Sequence, residues 1–224
     1  MTLPSAVRDL ALRLGADPVP GPETVTLNQI GQMKLGLRST RWLPFTARQT
    51  LSVRSSAFAW RARFRPFGYL SVTDAFENGT GRLDVTALGF IPLVRTQPIS
   101  ALTRGELMRY LAELAFVPDA ILHNRQLRWR VDDATRFSVS AGAGMEAVEV
   151  TLSLGRDGRI AGIHAADRPR SVTEPFLPTP WRGHFSDYRQ QMGRWIPFAA
   201  KVAWVIDGVE TLYWRGILTD WSAR

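Results

Sequence analysis

Three dipeptides, Asn78-Gly79, Asp157-Gly158 and Asp207-Gly208, each stand between runs of alternating polar and apolar residues. A tight hairpin turn of type I′ needs positive φ at both central residues, and Asn-Gly or Asp-Gly supplies that at little steric cost. Parallel strands would need long crossover connections instead. The alternation agrees: Phe58, Trp60, Ala62 and Phe64 share one face while Arg61, Arg63 and Arg65 share the other, as in a sheet with one buried side. The chain is therefore expected to form an antiparallel meander. Strands are predicted through 25–88, including a hairpin of 69–76 and 82–88, and again at 127–131, 135–140, 146–154, 159–166, 183–191, 199–206 and 209–219.

Two segments carry a helical period. Val7, Leu10, Ala11 and Leu14 recur on one face of 4–14, which stops at Gly15, and a proline-stiffened connector follows at 17–22. Thr103-Arg104-Gly105-Glu106 has capping-box spacing, so an internal helix is expected over 103–116, with Leu107, Tyr110, Leu111 and Leu114 on one face and Glu106, Arg109 and Glu113 on another. The segment before it, 89–94, is too apolar for an ordinary surface loop, which places the helix in the concavity of the sheet. Residues 167–180 exceed the usual ~4 to 6 residues of a connection and read as a lid, an edge cover or a plain loop. One phrase occurs twice: Arg41-Trp42-Leu43-Pro44-Phe45-Thr46-Ala47-Arg48 and Arg194-Trp195-Ile196-Pro197-Phe198-Ala199-Ala200-Lys201. A proline removes a ladder donor, so each copy reads as a strand start, and the two as the first and last strands of the sheet.

With 224 residues, 45% hydrophobic, and no low-complexity stretch, the expectation is a single domain, 1–224: an N-terminal helix and connector (1–22), then a curled sheet with its internal helix (23–224). Absence of cysteine excludes disulfides and thiolate metal sites. No signal-peptide pattern and no apolar run near ~18 residues is present, so the expected location is the cytoplasm. The net charge of +8 rests on arginine, since Lys34 and Lys201 are the sole lysines. Those arginines are scattered rather than gathered into a tail or helix, which argues against a nucleic-acid partner while leaving peripheral contact with an anionic membrane open.

The fold class read from these signals is α+β, mostly β: a curled antiparallel sheet, or half-barrel, around one internal helix, with a short N-terminal helix. That order of elements resembles the half-barrel of bacterial lipoprotein-carrier proteins, and the resemblance implies a concave apolar face able to hold acyl chains. The phrases Arg41-Trp42-Leu43-Pro44-Phe45-Thr46-Ala47, Met108-Arg109-Tyr110-Leu111-Ala112-Glu113-Leu114 with Pro118-Asp119-Ala120, Pro180-Trp181-Arg182-Gly183-His184-Phe185-Ser186-Asp187-Tyr188-Arg189 and Tyr213-Trp214-Arg215-Gly216 are similar to those of an uncharacterised bacterial family without assigned function. It implies a common fold and supplies no catalytic residues.

Dedicated catalytic and metal motifs are missing, and neither a metal nor a cofactor is expected. His164 and Asp167, like His184 and Asp187, lie three apart, which on a strand turns them to opposite faces. Asp74 has the parity of Leu70, Val72 and Phe76, and Asp187 that of Trp181 and Phe185, so both are expected to point inward. An ionised carboxylate there needs an arginine, a hydrogen-bond partner or a ligand. Tryptophans of the strands, most beside an arginine in sequence, are expected to point to the core and either fill it or leave an apolar pocket. Three functions follow. The first is non-catalytic binding of a hydrophobic or amphipathic small molecule by Trp60, Phe64, Arg109, Tyr110, Glu113, Trp129, Asp187 and Trp214. The second is an enzyme on a hydrophobic substrate with Asp74, Glu113 or Asp187 as general acid or base. The third is an arginine-faced module, through Arg61, Arg63 and Arg65, for anionic surfaces.

Overall fold

The computed structural model describes residues 2–64, 70–87, 91–95, 99–171 and 176–224. Helix α1 (Ser5–Arg13) leads into β1 (Thr24–Met33), β2 (Leu43–Ser52), β3 (Phe58–Phe64), β4 (Leu70–Glu77), β5 (Thr80–Ala87) and β6 (Ile91–Arg95). A helical stretch follows, made of α2 (Ser100–Ala112), a 3-10 turn (Glu113–Phe116) and α3 (Pro118–His123). The second strand series is β7 (Arg128–Val131), β8 (Arg136–Ala141), β9 (Val148–Leu154), β10 (Ile160–Arg170), β11 (Leu177–Gln191), β12 (Arg194–Ile206) and β13 (Val209–Ala223).

All strands belong to one antiparallel sheet in the order β6-β5-β4-β3-β2-β1-β13-β12-β11-β10-β9-β8-β7. The chain meanders outward from β1 to the edge at β6, crosses to the opposite edge at β7, and meanders back until β13 pairs with β1. The helical stretch makes the crossing. Helix α2 packs against β4 and β5 on one arm and β8, β9 and β10 on the other. In a flat sheet β5 and β9 would stand about 43 Å apart at the usual strand spacing, whereas α2 is about 20 Å long. The sheet must therefore curl around the helix, as expected, and it does so without closing.

The hairpin tips behave as the dipeptides require. Asn78 and Gly79 have φ of 51° and 77°, and Asp207 and Gly208 have 50° and 80°. Asp157-Gly158 lies in a longer connection in which the Gly155 amide donates to the Arg159 carbonyl at 2.8 Å. A further tight turn, Met192-Gly193 (φ 47° and 81°), joins β11 to β12. Methionine is a poor left-handed residue, so this turn carries half the usual signal. The expected long loop over 167–180 is corrected accordingly: β10 runs to Arg170 and β11 starts at Leu177, while residues 172–175 lie outside the described residues.

The repeated phrase does begin two strands, β2 and β12, but they are not the first and last. They flank the central β1/β13 pair on either side. Pro44 pairs with Gln32 on β1, whereas the β3 ladder begins at Phe45; Pro197 pairs with Tyr188 on β11, whereas the β13 ladder begins at Ala199. Among the described residues each proline thus faces a ladder on one side only, where its missing N–H is not required. Phe45 and Trp214 stack at 5.9 Å beside Gly31, and a Cβ on Gly31 would come within 2.6 Å of the Phe45 ring.

Helix α1 buries Val7, Leu10, Ala11 and Leu14 and packs on α3. It ends in a Schellman arrangement, with the Gly15 amide on Leu12 and the Ala16 amide on Ala11, and Gly15 at φ 83°. Helix α2 starts at Ser100, three residues before the predicted start. The Thr103 hydroxyl accepts from the Gly81 amide of β5 at 3.2 Å, and Glu106 is buried instead of reaching back to the cap. Arg61 and Arg63 are exposed on the convex face as predicted, and Arg65 lies outside the described residues.

Candidate functional site

Between α2 and the inner face of the sheet lies a cavity of about 230 Å³. Its wall is mostly apolar. Trp60 of β3, Trp181 and Phe185 of β11, Trp214 of β13, Phe116 of the 3-10 turn and Met33 of β1 supply most of it. Those on strands share inward parity, so alternation turns them to the concave face, and the curl of the sheet brings them together.

One polar stripe crosses this apolar surface. The Trp60 indole donates to Gln29 at 2.9 Å, and the Gln29 amide to Gln49 at 3.2 Å. Gln49 then donates to Glu113. Glu113 accepts from Arg109 Nε at 3.0 Å, and Arg109 Nη1 binds Asp74. Asp74 lies close enough to Glu106 for their charges to interact, and Glu106 pairs with Arg168 at 3.5 Å. Arg168 also donates to the Gly105 carbonyl at 3.2 Å and to the Tyr213 hydroxyl at 3.4 Å, and Tyr213 accepts from the Trp181 indole at 3.1 Å. Rings cover both guanidiniums: Phe58 and Trp60 at 4.9 and 5.1 Å from Arg109, Trp181 and Trp204 at 4.3 and 5.6 Å from Arg168.

The electrostatics follow from burial. Burial works against the charge of Arg109, but Glu113, Asp74 and Glu106 outweigh it and hold the guanidinium firmly protonated. Burial, and then the charge of Asp74, push the Glu106 carboxyl well above its ordinary range despite Arg168 and Arg109. Asp74 Oδ1 and Glu106 Oε2 are both buried acceptors without a donor. A proton on Glu106 removes one of these two adjacent buried negative charges. Because the folded chain binds that proton more tightly than the unfolded chain, the stabilising contribution is fully present below the ordinary 4.5 and is lost as pH rises through the elevated native value. Glu106→Gln is expected to flatten this loss, measured as urea midpoints from pH 4 upward; an unchanged slope would place the proton elsewhere.

Of the residues singled out by sequence, Trp60, Asp74, Arg109, Glu113 and Trp214 meet in the cavity wall. Four others do not. Asp187 was expected to face inward, but φ of 54° breaks the alternation, and its carboxylate lies at the surface on Arg189 at 2.7 Å. The inward position passes to Tyr188, whose hydroxyl donates to the Ile160 carbonyl at 2.6 Å. Tyr110 is sealed in the core, donating to the Ser52 carbonyl and accepting from Asn124, both at 2.9 Å. Phe64 is fully buried against Phe45 rather than along the cavity, and Trp129 sits on the edge strand β7. The expectation that strand tryptophans point inward is also corrected for Trp42, whose ring lies between Lys34 at 5.0 Å and Arg215 at 4.6 Å.

Gln29, Gln49, Glu106, Arg168 and Tyr213 were not singled out. Gln29 has the inward parity of Val25 and Leu27, and Gln49 that of Phe45 and Ala47, so the argument applied to Asp74 would have found both. Glu106 had been assigned to a cap and Arg168 to a loop. The histidines do not pair with their neighbouring aspartates: His184 Nε2 lies 2.8 Å from Glu210, and Asp167 pairs with Arg104 at 3.2 Å. Among the described residues no group of three or more histidine, cysteine or acidic side chains is arranged to hold a metal ion. No described helix is long and apolar enough to cross a membrane.

A family model described as a family of unknown function, DUF6920, matches residues 1–222. No curated protein matches the sequence. In structure the chain is similar to the crystal structure of a LolA superfamily protein from Nitrosomonas europaea, with a TM-score of 0.51 and 11% identity, covering 97% of this chain and 93% of that one. The half-barrel resemblance inferred from element order therefore holds at the level of fold.

Proposed function

The chain belongs to the DUF6920 family, and we propose that it binds a hydrophobic or amphipathic small molecule in the cavity between α2 and the concave sheet. The observation that carries this reading is the separation of the cavity wall into a broad aromatic surface and one narrow, internally paired polar stripe. Such a wall offers desolvation as its source of affinity, about 0.8 kcal/mol for each methylene removed from water. The fold supports the same reading, since the half-barrel that the element order resembles keeps its apolar face inside.

Turnover has less support. Of the remaining carboxylates proposed for acid–base chemistry, Glu113 has both oxygens occupied, by Arg109 and Gln49, and Asp74 is held by the same guanidinium with one oxygen still open. A positioned base needs a lone pair free to meet a substrate proton.

Ala200 lines the cavity and is buried on β12, so Ala200→Trp fills the space from a strand that is otherwise unchanged. Natively purified protein is expected to show a stoichiometric apolar adduct by native mass spectrometry, identified after organic extraction, and Ala200→Trp is expected to lose it. An adduct retained in the variant would put the ligand outside this cavity and end the proposal.

A further inference from the structure

The charges around the cavity define the class of head group it accepts. Three carboxylates, Asp74, Glu106 and Glu113, meet two guanidiniums, Arg109 and Arg168. Arg109 gives Nε to Glu113 and Nη1 to Asp74, Arg168 gives Nε to the Gly105 carbonyl, Nη1 to Tyr213 and Nη2 to Glu106, and rings cover both guanidiniums. Lys201 also borders the cavity, but it is exposed and has outward parity between Ala200 and Val202. The described wall therefore holds no surplus positive charge. With Glu106 protonated the stripe is neutral; with it ionised the stripe carries one excess negative charge.

An anionic head entering this space would have to displace a carboxylate from an arginine, leaving one buried anion without a partner and a second excess negative charge in the stripe. A cationic head would bring an extra buried charge to a stripe that is neutral with Glu106 protonated. A hydroxyl suffers neither penalty, because Asp74 Oδ1 on the cavity wall is a buried acceptor with no donor among the described residues. We propose that the ligand is an uncharged amphiphile, an alkyl chain ending in a hydroxyl group, and that free carboxylates and amines of the same chain length are discriminated against. This rests on the cavity being the ligand site.

The volume sets the probe length. At about 30 Å³ for a group the size of a water molecule, 230 Å³ corresponds to about seven to eight such groups, so an octyl chain is the longest probe worth testing. The test compares 1-octanol, octanoate and octylamine at neutral pH by displacement of an environment-sensitive fluorophore from the wild-type protein, with Ala200→Trp as the cavity-blocked control. Octanol is expected to bind at least about tenfold more tightly than octanoate, a gap of the size that one unfavourable buried interaction produces, and more tightly than octylamine. Asp74→Asn is expected to narrow the gap to octanoate by removing one negative charge from the wall. Octanoate or octylamine binding as well as octanol overturns the head-group assignment and leaves the cavity reading standing. Displacement by none of the three, or by all three equally in Ala200→Trp, overturns the cavity reading itself.

Discussion

Arg109→Ala is expected to lower the stability of the folded protein by about 3–5 kcal/mol, the cost of leaving buried charges without their partner. Arg109 is 15% exposed, its partners Asp74 and Glu113 are 13% and 16% exposed, and Glu106 lies next in the stripe. Losing the guanidinium leaves three neighbouring carboxyl groups with Arg168 as their sole nearby cation. For a chain of this size the melting temperature should fall by about 2–4 °C per kcal/mol. Arg109→Lys keeps the charge but cannot fork between two carboxylates, so it should lie between the variant and the wild type. Combining Arg109→Met with Asp74→Leu and Glu113→Gln should recover most of the loss, because an apolar replacement removes the unpaired charges along with the ion pair. Urea unfolding of the set decides the matter. A loss below about 1 kcal/mol for Arg109→Ala, the range of a solvent-exposed pair, would mean that the stripe is hydrated in solution and is not a sealed element of the core.

Asp119→Ala should destabilise by a similar amount, about 3–5 kcal/mol, for a different structural reason. Asp119 is 1% exposed at the start of α3 and binds Arg194 of β12 through two bonds of 3.0 and 2.9 Å, while also accepting the Asp17 amide at 3.1 Å. One carboxylate thus ties together α3, the connector after α1 and the first residue of β12. Asp119→Asn should cost less, since an amide oxygen can still accept from Asp17 while one bond to Arg194 is lost. The Asp119 cluster does not border the cavity. Asp119→Ala should therefore leave octanol binding within about twofold of wild type under conditions where it is folded, whereas Arg109→Ala should alter both stability and binding. A variant at Asp119 that abolishes binding while remaining folded would show that α3 and β12 couple to the cavity.

These two arginine sites also explain phrases in the sequence that had no stated purpose. Arg194 opens the second copy of the repeated phrase, and its role is to meet a carboxylate on α3, 75 positions earlier in the chain. The first copy opens with Arg41, which does not line the cavity. What the copies share is the aromatic and proline pattern that begins a strand beside the central β1/β13 pair.

Local chemistry was legible wherever neighbours in sequence determine it. Asn78-Gly79 and Asp207-Gly208 adopt the left-handed conformations their residue types favour, and the parity of Trp60, Asp74 and the arginines at 61 and 63 follows from the two-residue period of a strand. The face of α2 that buries Leu107, Tyr110 and Leu111 follows from the helical period in the same way. Asp187 shows where such reasoning stops: a single positive φ inverts parity, and an aspartate at that position does not announce it. Tyr110 and Phe64 show a second limit, because inward parity cannot tell a filled core from a cavity wall. What only the tertiary structure decided was which inward residues meet: β1 closing on β13, α2 crossing between two distant arms, and Arg109 and Arg168 arriving from opposite sides at the Asp74/Glu106 pair. Those contacts join residues far apart in the chain, and their geometry depends on how many strands separate them and how tightly the sheet curls, quantities that no local period encodes.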